Sequence, residues 1–312
     1  MSEQEHLWER RVITKLAQAS LNEQKRARRW SIFFKFLVFA YITFVLFMFL
    51  EPDMSKAQMA EKHSALVELQ GIIADDETAS ADNIISALRS AFEDAKTKGI
   101  ILRINSPGGT PVQAGYIYDE IVRLRGQYPE TPLYAVVSDM AASGGYYVAS
   151  AADEIYASKS SIVGSIGVRM DSFGVVEAMK KLGIESRLLT AGENKALMDP
   201  FSPVDEDARK HLQSMIDEIH QQFIDAVKEG RGERLQESDD LFTGLIWTGV
   251  EALEYGLIDK IGSASFVARE VIGAEDIVEY SVEEDVLERL VDRLGASTAK
   301  TLSKAYLTPQ LH

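Results

Sequence analysis

The chain has 312 residues, 46% of them hydrophobic, with 48 acidic against 33 basic residues, a net charge of −15 and no cysteine. That is enough apolar material for one large domain or two small ones. The lack of cysteine excludes disulfides, thiolate nucleophiles and cysteine-ligated zinc, and fits either redox compartment.

Residues 1–29 hold seven Lys/Arg and four Glu. Leu7, Trp8, Val12, Ile13 and Leu16 recur among them at helical spacing, which reads equally as a helix on a membrane surface or as a solvated extension. Ile32–Leu50 is apolar except for Lys35, Tyr41 and Thr43. As a helix it reaches about 29 Å, the hydrocarbon thickness of a bilayer, and Lys35 can snorkel back to the headgroups. The run is longer than a signal-peptide core and is followed by Glu51-Pro-Asp53, so a retained anchor is favoured over cleavage near Lys56–Ala60. The predicted layout is a cytoplasmic segment over 1–30, a transmembrane helix over 31–50 and a stalk over 51–64. The basic cluster Lys25-Arg-Ala-Arg-Arg29 assigns the N-terminus to the cytoplasm. Residues 51–312 then lie outside it, with 25 basic and 44 acidic residues, net −19. So acidic a body repels nucleic acid and anionic surfaces, and nucleic acid is excluded as a partner.

From Ala65 short apolar runs alternate with helical stretches. Ala65–Gln70, Gly71–Ala74, Gly99–Ile104, Leu133–Val137 and Glu154–Ala157 read as strands. Ala81–Lys98, Val112–Tyr128 and Gly144–Ala152 read as helices. Such alternation implies an α/β domain, over 65–275, with largely parallel strands and functional loops at their carboxyl ends. Leu188 onward reads as a strand running into the loop that bears Lys195. Ser202-Pro-Val-Asp205 reads as a helix start with serine as cap and proline at the first helical position. The helix continues through Val227 and stops at Gly230. Thr248 caps a short helix closed by Gly256, and a strand follows. Residues 276–312 read as a helical extension or tail.

Two loops carry candidate chemistry. In Met140-Ala-Ala-Ser-Gly-Gly-Tyr-Tyr147 a strand ends in small residues and restarts as a helix, with Ser143 the one reactive group. It is a partial relative of the nucleophile elbow, with Ala141 in place of its first glycine. Helix-initial N–H groups at Gly144 would lie beside the serine oxygen. Ile104-Asn-Ser-Pro-Gly-Gly109 likewise follows a strand, and its glycines allow N–H groups to point into a cleft. Neither loop carries a phosphate-binding glycine pattern. A serine nucleophile needs a base. His6 lies on the cytoplasmic side, His63 in the stalk, His211 and His220 on opposite flanks of one helix, and His312 at the terminus, so lysine is the other option. Lys195 sits in an irregular loop with apolar neighbours, and Ser165, in Gly164-Ser-Ile-Gly167, could orient its amine. Taken singly, Lys195 reads as a solvent-facing loop lysine, and Ser143 and Ser165 as turn serines.

Together these motifs resemble a known family. Asn105-Ser-Pro-Gly-Gly109, Ala142-Ser-Gly-Gly-Tyr146, Gly164-Ser-Ile-Gly-Val168, Gly192-x-x-Lys195 with Pro200-Phe201, and Thr248-Gly-x-x-Ala252-x-x-x-Gly256-Leu-Ile-Asp259 occur in the order of the signal peptide peptidase A family, in its short single-module form. Asn194 departs from that pattern, where an aromatic is usual. The resemblance covers about residues 65–262 and implies the Clp protease/crotonase fold. It implies a Ser/Lys dyad, with Ser143 as nucleophile, Lys195 as general base, Ser165 positioning the lysine, and the N–H groups of Gly109 and Gly144 as oxyanion hole. It implies a serine endopeptidase needing no metal or cofactor, a homo-oligomeric ring, and hydrophobic peptide substrates such as signal-peptide remnants. The expected location is the bacterial inner membrane, single-pass, with the catalytic domain periplasmic. Two other classes share parts of the pattern. A crotonase-like acyl-CoA enzyme would have the same oxyanion loops but no Ser/Lys pair, and its cytosolic cofactor conflicts with the orientation. An inactive membrane scaffold would not need Ser143 and Lys195 intact.

Overall fold

A computed structural model describes residues 3–50, 62–236 and 238–281, with side chains omitted for residues 3–13, 17 and 45–50. The chain divides into two compact units, Met1–Met59 and Ala60–His312. In the first, α1 (Glu3–Leu50) is one uninterrupted helix. Its side chains from Ile32 to Phe44 are exposed all round, with Thr43 donating to the Phe39 carbonyl (2.8 Å). Among the described residues no helix is long and apolar enough to cross a membrane. The expected span runs on into residues 45–50, whose side chains lie outside that description. Most of the expected stalk, 51–61, and of the expected tail, 282–312, also lies outside the described residues.

The second unit runs β1 (His63–Gln70), α2 (Ala81–Glu93), β2 (Thr97–Ser106), α3 (Pro111–Gln127), β3 (Leu133–Ala142), α4 (Gly144–Ala149), β4 (Glu154–Ala157), β5 (Ile162–Gly164), α5 (Val176–Leu182), α6 (Glu206–Arg231), β6 (Ile246–Thr248), α7 (Gly249–Glu254), β7 (Lys260–Ile261) and β8 (Ile277–Glu279). The described strands form one sheet in the order β6-β5-β3-β2-β1-β8, with β4 beside β3 and β7 beyond it. All pairings are parallel except β5 with β6. Successive strand residues face opposite sides, and the central strands are apolar on both. Ile100, Leu102, Ala135 and Val137 face α2, α3 and α4, while Ile101 and Val136 pack with Tyr156, Val267 and Ala268. Burial on both faces is what a parallel sheet covered by helices requires.

β3 positions the site because it is shared. Its first half, Tyr134–Val137, pairs with β4, and its second half, Met140–Ala142, pairs with β5. At the fork the buried Ser161 hydroxyl donates to the Ser138 carbonyl and accepts from Ser158 N–H (3.0 Å). On the covering side α6 packs close to the segment after α4. A Cβ at Gly230 would fall 2.0 Å from the Ser150 carbonyl oxygen. The buried Arg231 grips Asp259 with two hydrogen bonds (2.8 and 2.9 Å).

Several expectations are corrected. Residues 184–190 form no strand. α6 is capped by Asp205, which accepts from Asp207 and Ala208 N–H (3.0 and 2.8 Å), so Ser202 and Pro203 lie before the helix. Ser202 instead donates to Asp199 (2.5 Å). The helix runs through Gly230, needed for the close approach, and ends at Gly232, whose φ is 55°. The expected tail begins with strand β8, because Ile277 to Glu279 pair with Ser64 to Leu66. His63, expected in the stalk, is buried at the start of β1.

His63 meets residues from three other segments. Its Nε2 lies 2.9 Å from Tyr280 Oη, which donates to Asp94 (2.6 Å), and 3.5 Å from Thr97 Oγ1. Nδ1 is buried without a hydrogen-bond partner among the described residues. Burial pushes the imidazole below its ordinary range, against the pull of Asp94 and Asp276. The folded state therefore binds fewer protons here than the unfolded state. This contribution is full above the unfolded pKa near 6.5 and is lost as pH falls toward the lower folded pKa. The midpoint of thermal unfolding should drop between pH 7.5 and 5.5, and His63→Gln should flatten that slope. An unchanged slope in the variant would remove His63 from the account.

Candidate active site

The loop after β2 and the turn after β3 meet face to face. Ser106 ends β2, pairing with Ala141 after a register shift past Ile104. Gly108 follows at φ 100°, and a Cβ there would lie 2.7 Å from both Gly144 N and Ser143 Cβ. No side chain fits, and the backbone torsion also favours glycine. The next residues are stitched to the loop after β1. Ile73 N–H donates to Gly108 O (3.0 Å), and Thr110 N–H donates to Ile73 O (2.8 Å). With residues 108 and 110 facing Ile73, the intervening Gly109 N–H points to the other side. Gly144 lies there, since a Cβ built on it would be 3.3 Å from Gly109 N.

Ser143 stands opposite, at φ 52° and ψ −125°, as the residue before α4. A non-glycine residue in that region is strained, and such strain is concentrated at functional turns. Here the surroundings fix it. Ser143 N–H donates to Gly164 O, and Ser143 O accepts from Tyr146 and Tyr147 N–H, each at 2.9 Å. Behind it Tyr146 is fully buried and donates to Leu257 O (2.8 Å). The half-buried Ser143 hydroxyl makes no hydrogen bond among the described residues. Gly144 is the first residue of α4, so its N–H has no partner within the helix. Ser143, Gly109 and Gly144 thus lie together, a hydroxyl beside two backbone amides.

Ser165 is one turn away, with φ 53° and its N–H on Leu245 O (2.7 Å). The preceding Gly164 is packed by Trp247, whose Cδ1 would be 2.9 Å from a Cβ there. His220, placed by the sequence on one flank of its helix, is half-buried with Nε2 3.1 Å from Ile166 O, so it braces this turn. Lys195 is not brought to Ser143 or Ser165 within the chain. It lies exposed in a run of turns, its N–H on Gly192 O (3.2 Å), and its amine makes no hydrogen bond or ion pair among the described residues. Beside this run, Phe173, Leu197, Met198, Leu212 and Ile216 line an open cavity of about 610 Å³. Sequence reasoning missed Ser106 and the brace at His220. Ser106 stands in a recognised motif, but its role depends on contacts across 35 residues.

The arrangement is a strained serine at a strand-to-helix turn, facing backbone amides on a parallel sheet, and it places the chain in the Clp protease class of folds. The Clp protease sequence pattern matches residues 55–162, and that of peptidase family S49 matches residues 127–277. Protease 4 of Haemophilus influenzae is 34% identical over 217 residues, 68% of this chain and 35% of that protein. Chloroplastic serine protease SPPA of Arabidopsis thaliana is 33% identical over 187 residues, 59% and 27% respectively. A Brucella melitensis protein named Na(+)/H(+) antiporter NhaA is 45% identical over 196 residues, 63% and 26% respectively, so most of it lies outside the match. The chain spans about a quarter to a third of the length of these three relatives. These matches support the signal peptide peptidase A family, peptidase family S49, as what the chain is similar to.

Two glycine substitutions should differ in sign. Gly108→Ala meets backbone atoms at 2.7 to 2.9 Å and should cost at least about 1–3 kcal/mol. Gly115→Ala, inside α3 with nothing within 4 Å, should gain about 0.5–1 kcal/mol. Denaturant unfolding of both variants checks this, and equal effects would contradict the packing described at Gly108.

Proposed function

We propose that the chain is a membrane-anchored serine endopeptidase that uses a Ser143/Lys195 dyad to hydrolyse hydrophobic peptides, such as remnants of cleaved signal peptides. The observation that carries this reading is the Ser143 turn, with the residue held at φ 52° beside the Gly109 and Gly144 amides. Ser143 Oγ attacks the scissile carbonyl carbon while the Lys195 amine takes its proton. The carbonyl oxygen becomes negative between the two N–H donors. The intermediate collapses to an acyl-enzyme as Lys195 returns the proton to the leaving amine, and water then releases the acyl group by the same route. Exposed apolar side chains next in sequence to the loops at Ile73 and Gly109 (Ile72, Val112 and Tyr116) support a preference for apolar peptides.

A lysine serves as base only where desolvation favours its neutral form. Lys195 is exposed in the single chain, so its partner surface has to come from another copy, and Ser165 of the assembled site would orient the amine. Exposed Phe173, Leu189, Met198, Phe201 and Val204 surround it in sequence. This apolar surface supports self-association into a ring, with Lys195 of one copy serving Ser143 of the next. The apolar Ile32–Leu50 and the basic cluster before it support a single-pass anchor in the bacterial inner membrane, with the catalytic unit on the outer face.

Ser143→Ala and Lys195→Ala should each lower peptide hydrolysis by at least about a thousandfold without unfolding the chain. Mixed before assembly, the two variants should regain measurable activity, because some interfaces would carry both residues. Near-normal turnover in Lys195→Ala would refute the dyad. Mixed rings that form but stay inactive would place the dyad within one copy.

A further inference from the structure

We propose that Ser106 is a positioning residue for the oxyanion hole, its hydroxyl holding the Gly108–Gly109 turn at the angle that aims the Gly109 N–H at the reacting carbonyl. The inference rests on the reading of Ser143 as nucleophile and deepens it. Ser106 is fully buried and uses both functions of its hydroxyl. Oγ donates to the Gly71 carbonyl (2.6 Å) and accepts the Gly108 N–H (3.1 Å). Gly71 N–H in turn donates to the Asn105 carbonyl (3.0 Å). The hydroxyl thus ties the loop after β1 to the turn after β2 from within, while Ile73 ties them from the far side of Gly109.

The same residue also backs the nucleophile turn. A Cβ on Gly145 would fall 3.0 Å from Ser106 O and 3.3 Å from Ser106 Cβ. Ser106 lies where β2 and β3 resume pairing after their register shift, so no regular ladder holds the Gly108 N–H there. If the hydroxyl is removed, that N–H is buried without a partner, and the peptide before Gly109 is held only through its Gly108 carbonyl on Ile73 N–H. The affected group acts on the negative oxygen of the intermediate rather than on the bound substrate, so the loss falls on kcat and not on KM.

The experiment measures kcat, KM and thermal unfolding for the full chain in detergent, with Ser143→Ala as control. Ser106→Ala is expected to lower kcat by about 10- to 100-fold with KM within about twofold, less than the loss on deleting an oxyanion donor outright. Ser106→Thr, which keeps the hydroxyl, is expected to recover most of that loss. If Ser106→Ala does not fold, Ser106→Cys, with its weak donor and acceptor, carries the same expectation for kcat and KM. A folded hydroxyl-free variant with unchanged kcat, or one whose KM rises as much as kcat falls, would overturn the positioning role alone. Activity persisting in Ser143→Ala would overturn the nucleophile reading, and this inference with it.

Discussion

The close contact between Gly108 and the Ser143–Gly144 turn is the constraint on which the rest of the site depends. At 2.7 Å from the next backbone nitrogen there is no volume for a single methyl group. Both loops are held by bonds that leave them little freedom. Gly108 and Thr110 are stitched to Ile73, Gly108 N–H is held by Ser106, and Ser143 N–H is held by Gly164. The positive φ of Ser143 is a cost of roughly 1–3 kcal/mol that the surrounding contacts must outweigh. What it provides is a hydroxyl already fixed beside two amide donors before any substrate arrives. Preorganisation of this kind is where enzymes obtain much of their electrostatic catalysis.

The forked strand β3 explains how a sheet interior reaches that geometry. While β4 pairs with its first half, the strand is covered on both faces and rigid. After the fork, β5 pairs with Met140–Ala142 and ends at Gly164, whose carbonyl catches Ser143. β5 is only three residues long, and β6, Trp247 and His220 brace the turn beyond it. The same short strand therefore serves Ser143 on one side and presents Ser165 on the other. The exposed run around Lys195 is held by Val175 N–H on Pro200 O (2.8 Å) and Ser172 Oγ on Met198 O (3.3 Å), and it is there that the proposed function adds a second copy.

Much of this was legible in the sequence, and the parts that were not have a common cause. Apolar runs such as Gly99–Ile104 and Leu133–Val137 identify strands because they are buried on both faces, and Thr248 with Glu251 marks a helix start through a local capping box. Taken singly the serine and glycine loops read as ordinary turns, and it is their order along the chain, resembling that of a known family, that marks them as candidates. β5 and β8 escaped because three-residue strands carry no periodicity and exist only through pairing with distant partners. His63 read as stalk because its partners, Asp94, Thr97 and Tyr280, lie 31 to 217 residues away. The cap at Asp205 was misplaced to Ser202 because both residues satisfy the local rule, and only the hydrogen bonds decide between them.

The central claim is that Ser143 is the residue this framework activates. Intact protein treated with a fluorophosphonate probe and mapped by peptide mass spectrometry tests it most directly. The expected result is a single covalent adduct on the peptide carrying Ser143. An adduct on a different serine, or none at all in a preparation that hydrolyses peptides, would contradict the account.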